Sequence, residues 1–334
     1  MKTRAGGPFR VFTPFWRAVL ATQAPQAPLP APRRIVAAPA PRGAVALDDL
    51  ALLPTQPDWA GGLRAAWSPG EKAATKRLTD FLDERVSVYA ETRDIPGVEG
   101  TSMLSPHLAF GEISPRQIWT ATRHAAAADP RLQRGCDKFL AEIGWREFSY
   151  GLLFANPDLA TKNFDPRFDR FVWNKPEPGI LAAWREGRTG YPIVDAGMRE
   201  LWSTGYMHNR VRMIVASFLV KHLLIDWRIG EDWFWDTLCD ADAANNAASW
   251  QWVAGCGADA APYFRVFNPV LQGEKFDADG AYVRRWLPEL AGLPDRFAHK
   301  PWQAPTPPRN YPAPIVDHAR ARARALAAFQ QLKD

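Results

Sequence analysis

The thirteen residues Asp240-Ala-Asp-Ala-Ala-Asn-Asn-Ala-Ala-Ser-Trp-Gln-Trp252 are the most informative stretch of the chain. They place two acids, a pair of asparagines and two tryptophans in one short segment. Asp and Asn are costly to bury without partners, whereas Trp is a large apolar side chain. Together these residues predict the wall of a cavity that holds a ligand with polar groups and a flat ring.

Length and composition limit the class of protein. The chain has 334 residues, of which 47% are hydrophobic and 23% charged, as in ordinary soluble globular proteins. This length is enough for one large domain or two smaller ones. Tryptophan is unusually common, with fifteen residues against seven tyrosines, and core packing alone rarely needs so many. The net charge of +5 allows a polyanionic partner, but it is equally common in proteins without one.

Several function classes lack support. Cys136, Cys239 and Cys256 form an odd set without CxxC spacing, which fits a reducing compartment. The longest apolar run, residues 213–220, is too short to cross a bilayer, and the N-terminus lacks the apolar core of a signal peptide. The histidines show no metal-binding spacing, and no nucleophile motif of a hydrolase is present. We therefore predict a cytoplasmic protein with no membrane contact and no metal.

The hydrophobic pattern is helical over most of the chain. Residues 21–60 hold eight prolines and are typical of an extended linker, so residues 1–60 are predicted to be an interdomain-linker remnant. Ser68 and Glu71 have the spacing of a helix capping box, and apolar residues recur at helical intervals after them. Strand-like alternation is scarce. The sequence predicts one all-α domain over residues 61–334, with helices at 114–128, 133–155, 178–186, 194–204, 206–225, 230–238 and 315–332.

Three motifs could bind a ligand, although each also has an ordinary structural explanation. Asn209 and Arg212 share one helix face, where their polar groups suit phosphate or carbonyl oxygens as well as solvent. Glu142 and Trp145 lie three residues apart on a helix, which suits either a flat hydrogen-bonding ligand or a half-buried surface. The loop at 100–106 offers two hydroxyls and free N–H groups, as phosphate sites and plain helix caps both do.

Taken together, these motifs resemble the photolyase/cryptochrome family, and within it the class I photolyases that split cyclobutane pyrimidine dimers. The resemblance runs from about Phe12 to the C-terminus and includes TSMLSPHLAFGEISPRQ (101–117), EIGWREF (142–148), TGYPIVDAGMREL (189–201), GYMHNRVRM (205–213), LLIDWRIGE (223–231), residues 240–252 and GADAAPYFRVFNP (257–269). It implies a helical FAD-binding domain. The family's N-terminal α/β antenna domain has no counterpart in this sequence, so no second antenna chromophore is expected.

The resemblance implies a set of residues that bind FAD, whose working form in this family is reduced. Asn209 and Arg212 would reach the edge of the flavin ring, and Asn246 would face flavin N5. The family's light sensors often have an acid or a thiol at that last position. Met103 stands where the family frequently has an arginine. The implied ligands are Tyr89, Thr101, Ser102, Met103, Leu104, Ser105, Phe139, Asn209, Arg212, Asp240, Ala241, Asp242 and Asn246.

The resemblance also implies residues for the lesion, for DNA and for electron transfer. Glu142 would hydrogen-bond the flipped dimer and stabilise its radical anion, between walls formed by Trp145 and Trp252. The implied DNA- and substrate-binding set is Arg93, Glu142, Trp145, Asn209, Arg210, Met213, Trp252 and Gln272. The implied catalytic set is Glu142 and Asn246, with Trp250, Trp227 and Trp173 as the family's chain of tryptophans that carries electrons to an oxidised flavin.

The implied function is light-driven repair of cyclobutane pyrimidine dimers in UV-damaged DNA by a monomeric carbon–carbon lyase. Base flipping, of which photolyases are a known example, would bring the dimer out of the double helix to the flavin. Two alternatives stay open, namely a cryptochrome-like blue-light photoreceptor without repair activity and an inactive truncated photolyase. Glu142, Asn246 and the order Met207-His208-Asn209 favour dimer repair over signalling and over repair of (6-4) lesions.

Overall fold

The computed structural model describes residues 1–22, 24–54, 56–260 and 264–332. Residues 261–263, which belong to the motif at 257–269, lie outside the described residues. Every regular element in the described ranges is a helix and none is a strand, which confirms the all-α prediction. Among these helices, none combines the length and the apolar character that crossing a membrane requires.

The fold is a bundle of helices of very unequal length, in which the longest has the bounds that the sequence predicts for residues 133–155. Short 3-10 turns and one π-helical turn, Phe218–His222, connect several of the helices. The α-helices are α1 (Phe12–Leu20), α2 (Gly61–Ala66), α3 (Glu71–Glu84), α4 (Tyr89–Thr92), α5 (Ser105–Ala109), α6 (Pro115–Ala128), α7 (Gln133–Ala155), α8 (Pro178–Arg185), α9 (Pro192–Thr204), α10 (Asn209–Ser217), α11 (Trp227–Thr237), α12 (Ala243–Ala254), α13 (Pro269–Phe276), α14 (Ala281–Trp286) and α15 (His318–Gln330).

Side-chain caps explain where several helices start. Ser114 and Gln117 form a reciprocal capping box at α6, with hydrogen bonds of 3.2 Å and 2.8 Å. Asp226 and Asp242 accept backbone N–H groups at the starts of α11 and α12. The first N–H groups of a helix have no partner within it, and such a cap is worth about 1 kcal/mol. The two aspartate caps therefore fix where the helices that carry Trp227, Trp250 and Trp252 begin.

Several predicted helix ends are shifted by one to three residues, and two of the helix predictions are wrong for a physical reason. Ser68 does not cap α3, because that helix begins at Glu71 directly after Gly70, whose φ of 103° lies outside helical geometry. The single helix predicted over 206–225 is interrupted, since α10 is followed by the π-helical turn and then by Leu224 with a φ of 52°. Apolar residues stay buried across this interruption, so the hydrophobic pattern continues through it.

Within the described residues, three apolar clusters form the core and meet around α7 and α12. The largest is built around the fully buried Trp184, Phe218 and Trp227. A second lies between α3 and α7 around Phe81, and a third joins α1 to α7 around Phe148. Helices α7 and α12 each supply side chains to two of these clusters. Because each fully buried large side chain contributes roughly 1.5–3 kcal/mol, this shared packing fixes the position of α12 against α7.

Helix α1 packs closely against α7. Its residues Phe12 and Phe15 are buried against Phe148, whereas the described residues between 21 and 59 are almost all exposed. A glycine makes the close approach possible, because a Cβ atom at Gly144 would lie only 2.5 Å from the ring of Trp16. The N-terminal helix is thus part of the packed fold.

Replacing Gly144 with Ala should therefore displace α1. The added Cβ would collide with the Trp16 ring, and overpacking of this kind costs about 1–3 kcal/mol. Gly151→Ala in the same helix is the matched control, because a Cβ there meets nothing within 4 Å. We expect that control to gain roughly 0.5–1 kcal/mol from helix propensity. Urea unfolding of the two holoproteins measures the difference, and equal stabilities would contradict the close contact.

Candidate functional site

A largely buried ion pair joins α10 to the segment that precedes α12. The guanidinium of Arg212 donates to both carboxylate oxygens of Asp240, at 3.0 Å and 2.7 Å, and its Nε donates to the carbonyl of Met207 at 2.6 Å. Burial opposes the charge of Arg212, but the carboxylate of Asp240 outweighs that effect and raises the arginine pKa. A bidentate pair of this kind fixes geometry as well as charge. Two of the implied FAD ligands are thus held against each other.

Helix α12 places Asp242 and Asn246. Asp242 accepts the N–H groups of the second and third residues of the helix at 3.0 Å and 2.8 Å, and it also accepts a hydrogen bond from the phenol of Tyr150. Asn246 lies one turn further along, where its amide donates to the carbonyl and the carboxylate of Glu231 at 3.0 Å and 2.9 Å. Both side chains therefore have fixed orientations.

The residues implied for the phosphates and the ribityl chain lie on α4 and on the loop before α5. Tyr89 is buried edge-on against Phe139 of α7, with 5.7 Å between ring centroids. Thr101 is half-buried at the start of that loop. Met103 has a φ of 53°, which turns the chain sharply into α5. Ser102 and Leu104 of this loop, and Ser105 at the first position of α5, are buried or half-buried.

Glu142 lies between two cations. Arg93, at the end of α4, donates from Nη1 to its carboxylate, and Nζ of Lys138 is 3.5 Å from the same oxygen. Burial opposes the charge of Arg93, but the hydrogen bond and the charge of Glu142 raise the arginine pKa. The structure thus joins a residue implied for DNA binding to the residue implied for the lesion.

A second arginine follows the same pattern. Arg210 forms an ion pair of 3.0 Å with Asp94, and its guanidinium lies 4.3 Å from the ring centroid of Phe276. It also approaches the sulfur of Met213 at 3.8 Å. Gln272 lies half-buried on α13, one helical turn before Phe276 and therefore on the same helix face. Helices α10 and α13 thus meet at the DNA-binding residues that the resemblance implies.

The two tryptophans implied as lesion walls are half-buried, and each rests on a residue outside its own helix. Trp145 of α7 stacks face to face on Phe12, with ring centroids 3.8 Å apart and an interplanar angle of 8°. Trp252 of α12 donates its indole N–H to the carbonyl of Asp259 at 3.0 Å. The partly exposed state of both rings leaves apolar surface available to a ligand.

The three tryptophans implied for electron transfer lie in the largest cluster or against it. Trp250 is buried, and its ring meets Trp184 at 6.4 Å and Phe234 at 5.0 Å between centroids. Trp227 is fully buried and Trp173 half-buried. Within the described residues, the rings of these three tryptophans contact other residues and not one another. Ala241 packs against the same cluster between the two aspartates.

Two side chains to which no sequence motif points, Glu200 and Tyr282, hold the turn before α10. Glu200 of α9 accepts a hydrogen bond from the phenol of Tyr282 at 2.6 Å and one from the backbone N–H of His208 at 3.3 Å. Burial raises the pKa of Glu200 to about 7. In the sequence, Glu200 is a lone glutamate beside the buried Leu201. Helical periodicity assigns such a charged residue to the surface, so it does not reveal this contact.

Two buried polar atoms without partners lie next to Asn209, one of the implied FAD ligands. Among the described residues, His208 Nε2 and Arg210 Nε are buried without a hydrogen-bond partner, and the amide of Asn209 between them is exposed. The hydroxyls of the loop before α5 add donors suited to phosphates. FAD presents phosphates, hydroxyls and a ring edge with donors and acceptors, so this donor set matches it. The same described ranges contain no cluster of side chains that could hold a metal ion.

Comparison with known proteins identifies the class. The chain matches the FAD binding domain of DNA photolyase over residues 139–331. The deoxyribodipyrimidine photo-lyase of Agrobacterium fabrum is 54% identical over 346 residues, which cover 100% of this chain and 71% of that protein. A class III photolyase from Agrobacterium tumefaciens has a TM-score of 0.93 and 53% identity, over 100% of this chain and 70% of that one. The Synechocystis sp. PCC6803 cryptochrome has a TM-score of 0.74 and 35% identity, over 79% and 56%.

The chain therefore belongs to the DNA photolyase family. Its relatives in that family include enzymes named deoxyribodipyrimidine photo-lyase, so the predictions of a photolyase enzyme, of its helical domain and of FAD as its cofactor are confirmed. The assignment to class I stays a prediction, and the solved structure with 53% identity is that of a class III photolyase.

Replacing Glu200 with Gln should change how stability depends on pH. The carboxyl pKa is about 7 in the folded protein and about 4.5 when exposed, so only the folded state holds the proton between these values. The contribution of Glu200 to stability is therefore lost as pH rises through about 7. The Gln side chain does not titrate, so the stability of the variant does not fall in this way. We expect the variant to gain about 1–3 kcal/mol relative to wild type between about pH 5 and pH 8. Urea titrations across this range measure the difference, and a difference independent of pH would contradict the burial of the carboxylate.

Proposed function

We propose that the protein repairs cyclobutane pyrimidine dimers in DNA by a light-driven reaction at its FAD site. The observation that supports this most is the environment of Glu142. Its carboxylate lies between Arg93 and Lys138, on the helix that also carries Trp145. A carboxylate beside an aromatic wall can accept hydrogen bonds from the edge of a base while the base stacks on the ring. The names of the relatives support DNA photorepair as the activity.

The chain's own residues would bind, orient and shield the lesion. Bound FAD in its reduced form would supply blue-light absorption and the electron that opens the dimer's cyclobutane ring. Trp145 and Trp252 would form apolar walls, and stacking on such rings is worth roughly 1–3 kcal/mol per base. Exclusion of water by these walls would strengthen the hydrogen bonds that Glu142 accepts, because electrostatic interactions grow in a low-dielectric pocket.

Arg93 and Arg210 would bind the DNA backbone. In the free protein each is paired with a carboxylate, Arg93 with Glu142 and Arg210 with Asp94. A DNA phosphate would compete for both arginines, and its capture of Arg93 would release Glu142 for the lesion. Because phosphate contacts displace counterions, we expect DNA affinity to fall steeply with salt.

Asn246 supports repair over photoreception. As an asparagine it is neutral, and it is neither an acid nor a thiol. Its amide is held by hydrogen bonds to Glu231. In the family that the chain resembles, light sensors often carry an acid or a thiol here. The hydrogen bonds to Glu231 would keep the amide in one orientation beside the flavin ring.

The proposal is tested by a repair assay on purified, flavin-loaded protein. An oligonucleotide that contains one thymine dimer is incubated with the protein in the dark or under blue light, and the flavin absorbance is recorded. We expect bound flavin and loss of the dimer only under light. Bound flavin without repair would favour a photoreceptor, and failure to bind flavin would favour an inactive protein. Either result overturns the proposal.

Glu142→Ala should lower the repair yield while FAD stays bound. Loss of the carboxylate removes hydrogen bonds to the lesion, and we expect a roughly tenfold drop in repair at equal flavin content. Glu147→Ala is the control, since Glu147 is an exposed residue of the same helix that pairs with Arg146 at 3.0 Å. Loss of flavin from Glu142→Ala, or an equal drop of the repair yield in the control, would contradict the role of Glu142 in binding the lesion.

Trp250→Phe should slow photoreduction of the oxidised enzyme and leave repair by chemically reduced enzyme intact. Phe keeps an aromatic ring in the core but is much harder to oxidise than Trp. Trp235→Phe is the control, because Trp235 is 52% exposed on α11. Flavin absorbance under illumination with an external donor gives the first readout, and dimer loss with dithionite-reduced enzyme gives the second. Normal photoreduction in Trp250→Phe would exclude this residue from the electron path.

A further inference from the structure

Helix α1 reaches one wall of the proposed lesion pocket. The ring of Phe12 covers a face of Trp145 at a centroid distance of 3.8 Å, with the two rings almost parallel. Phe148 meets the same indole edge-on at 5.8 Å. Trp145 is nonetheless only half-buried. Its orientation thus depends on a residue more than a hundred positions away in the chain.

Asp259 connects the same helix to the other wall. Its carboxylate accepts the backbone N–H of Phe12 at 3.3 Å, and its own N–H donates to the carbonyl of Arg10 at 3.0 Å. The carbonyl of Asp259 accepts the indole N–H of Trp252 at 3.0 Å. One residue therefore bonds both to the start of α1 and to the wall on α12.

These contacts restrict side chains that would otherwise have several rotamers. A half-buried Trp on a single helix keeps rotational freedom, and fixing it at the moment of binding costs affinity. The face-to-face aromatic contact and the indole hydrogen bond fix the two side chains already during folding, so that binding does not have to order them. The approach of α1 depends in turn on Gly144, against which Trp16 lies.

We propose that α1 is a positioning element of the lesion pocket. Phe12 of α1 holds Trp145, and Asp259, which is bonded to the start of α1, holds Trp252, each in the orientation that receives the dimer. This inference rests on the proposed function, since that function assigns both tryptophans to the lesion. It adds that discrimination of damaged from undamaged DNA depends on a helix that carries none of the lesion-binding residues.

The test compares Phe12→Leu with Phe15→Leu. Both residues are buried in α1, at 9% and 6% exposure, and both pack near Phe148, but only Phe12 stacks on Trp145. The readout is the ratio of affinities for an oligonucleotide with a thymine dimer and for the same sequence without it. We expect Phe12→Leu to lower this ratio roughly two- to tenfold and Phe15→Leu to leave it unchanged. Flavin content and Tm are measured for both, because a loss of stability alone would affect the two variants alike.

A second pair of variants addresses Asp259. Asp259 has a φ of 54°, which Asn and Gly both tolerate. Asp259→Asn keeps an oxygen that accepts the N–H of Phe12, and we expect it to keep the affinity ratio. Asp259→Gly lacks that oxygen and should lower the ratio, although its backbone carbonyl still faces the indole of Trp252.

The outcomes separate this inference from the function on which it rests. If wild-type protein neither repairs dimers nor prefers damaged DNA, the proposed function fails. If wild-type protein discriminates but Phe12→Leu and Phe15→Leu change the ratio equally, or not at all, α1 has only a folding role and the inference is wrong. If Asp259→Asn and Asp259→Gly have equal ratios of affinity for damaged and undamaged DNA, Asp259 does not position the pocket walls.

Discussion

The ion pair between Arg212 and Asp240 is the contact on which the geometry of the site depends. It ties α10 to Asp240, which lies two residues before the cap of α12, so the position of one helix sets the start of the other. Removing one partner of such a pair leaves an uncompensated charge and typically costs about 3–5 kcal/mol. The pair thus links the two helices that carry Asn209 and Asn246, for which the resemblance implies contacts with the flavin.

Charges around the site are balanced before any ligand enters. Arg93, Arg210 and Arg212 each have a carboxylate partner. The proposed binding of DNA at Arg93 and Arg210 would therefore be an exchange of partners, in which a phosphate must be a better partner than a carboxylate. An exchange of this kind adds selectivity, because a weakly or wrongly placed anion gains too little to break the existing pairs.

Much of the fold could be predicted from the sequence, and the reasons differ between helices. Helical periodicity was sufficient for α7, since its buried residues recur at helical spacing from one end to the other. The same criterion failed at the end of α10, because a π-helical turn keeps the apolar residues buried as a continued helix would. The identities of the site residues came from the resemblance to a family and not from periodicity. Contacts such as Phe12 with Trp145 join segments with no local pattern in common, so only the folded chain shows them.

The hydrogen bonds of Asn246 limit what its side chain can offer to a neighbour. The amide nitrogen donates to the carbonyl and the carboxylate of Glu231, which leaves the amide oxygen as the remaining polar atom. An oxygen of this kind can only accept a hydrogen bond, so a partner on that side must present a hydrogen-bond donor such as an N–H group. A reduced flavin ring carries hydrogen on N5 and an oxidised ring does not. In the position beside flavin N5 that the resemblance implies for Asn246, Glu231 would favour the reduced cofactor through the direction in which it holds the amide.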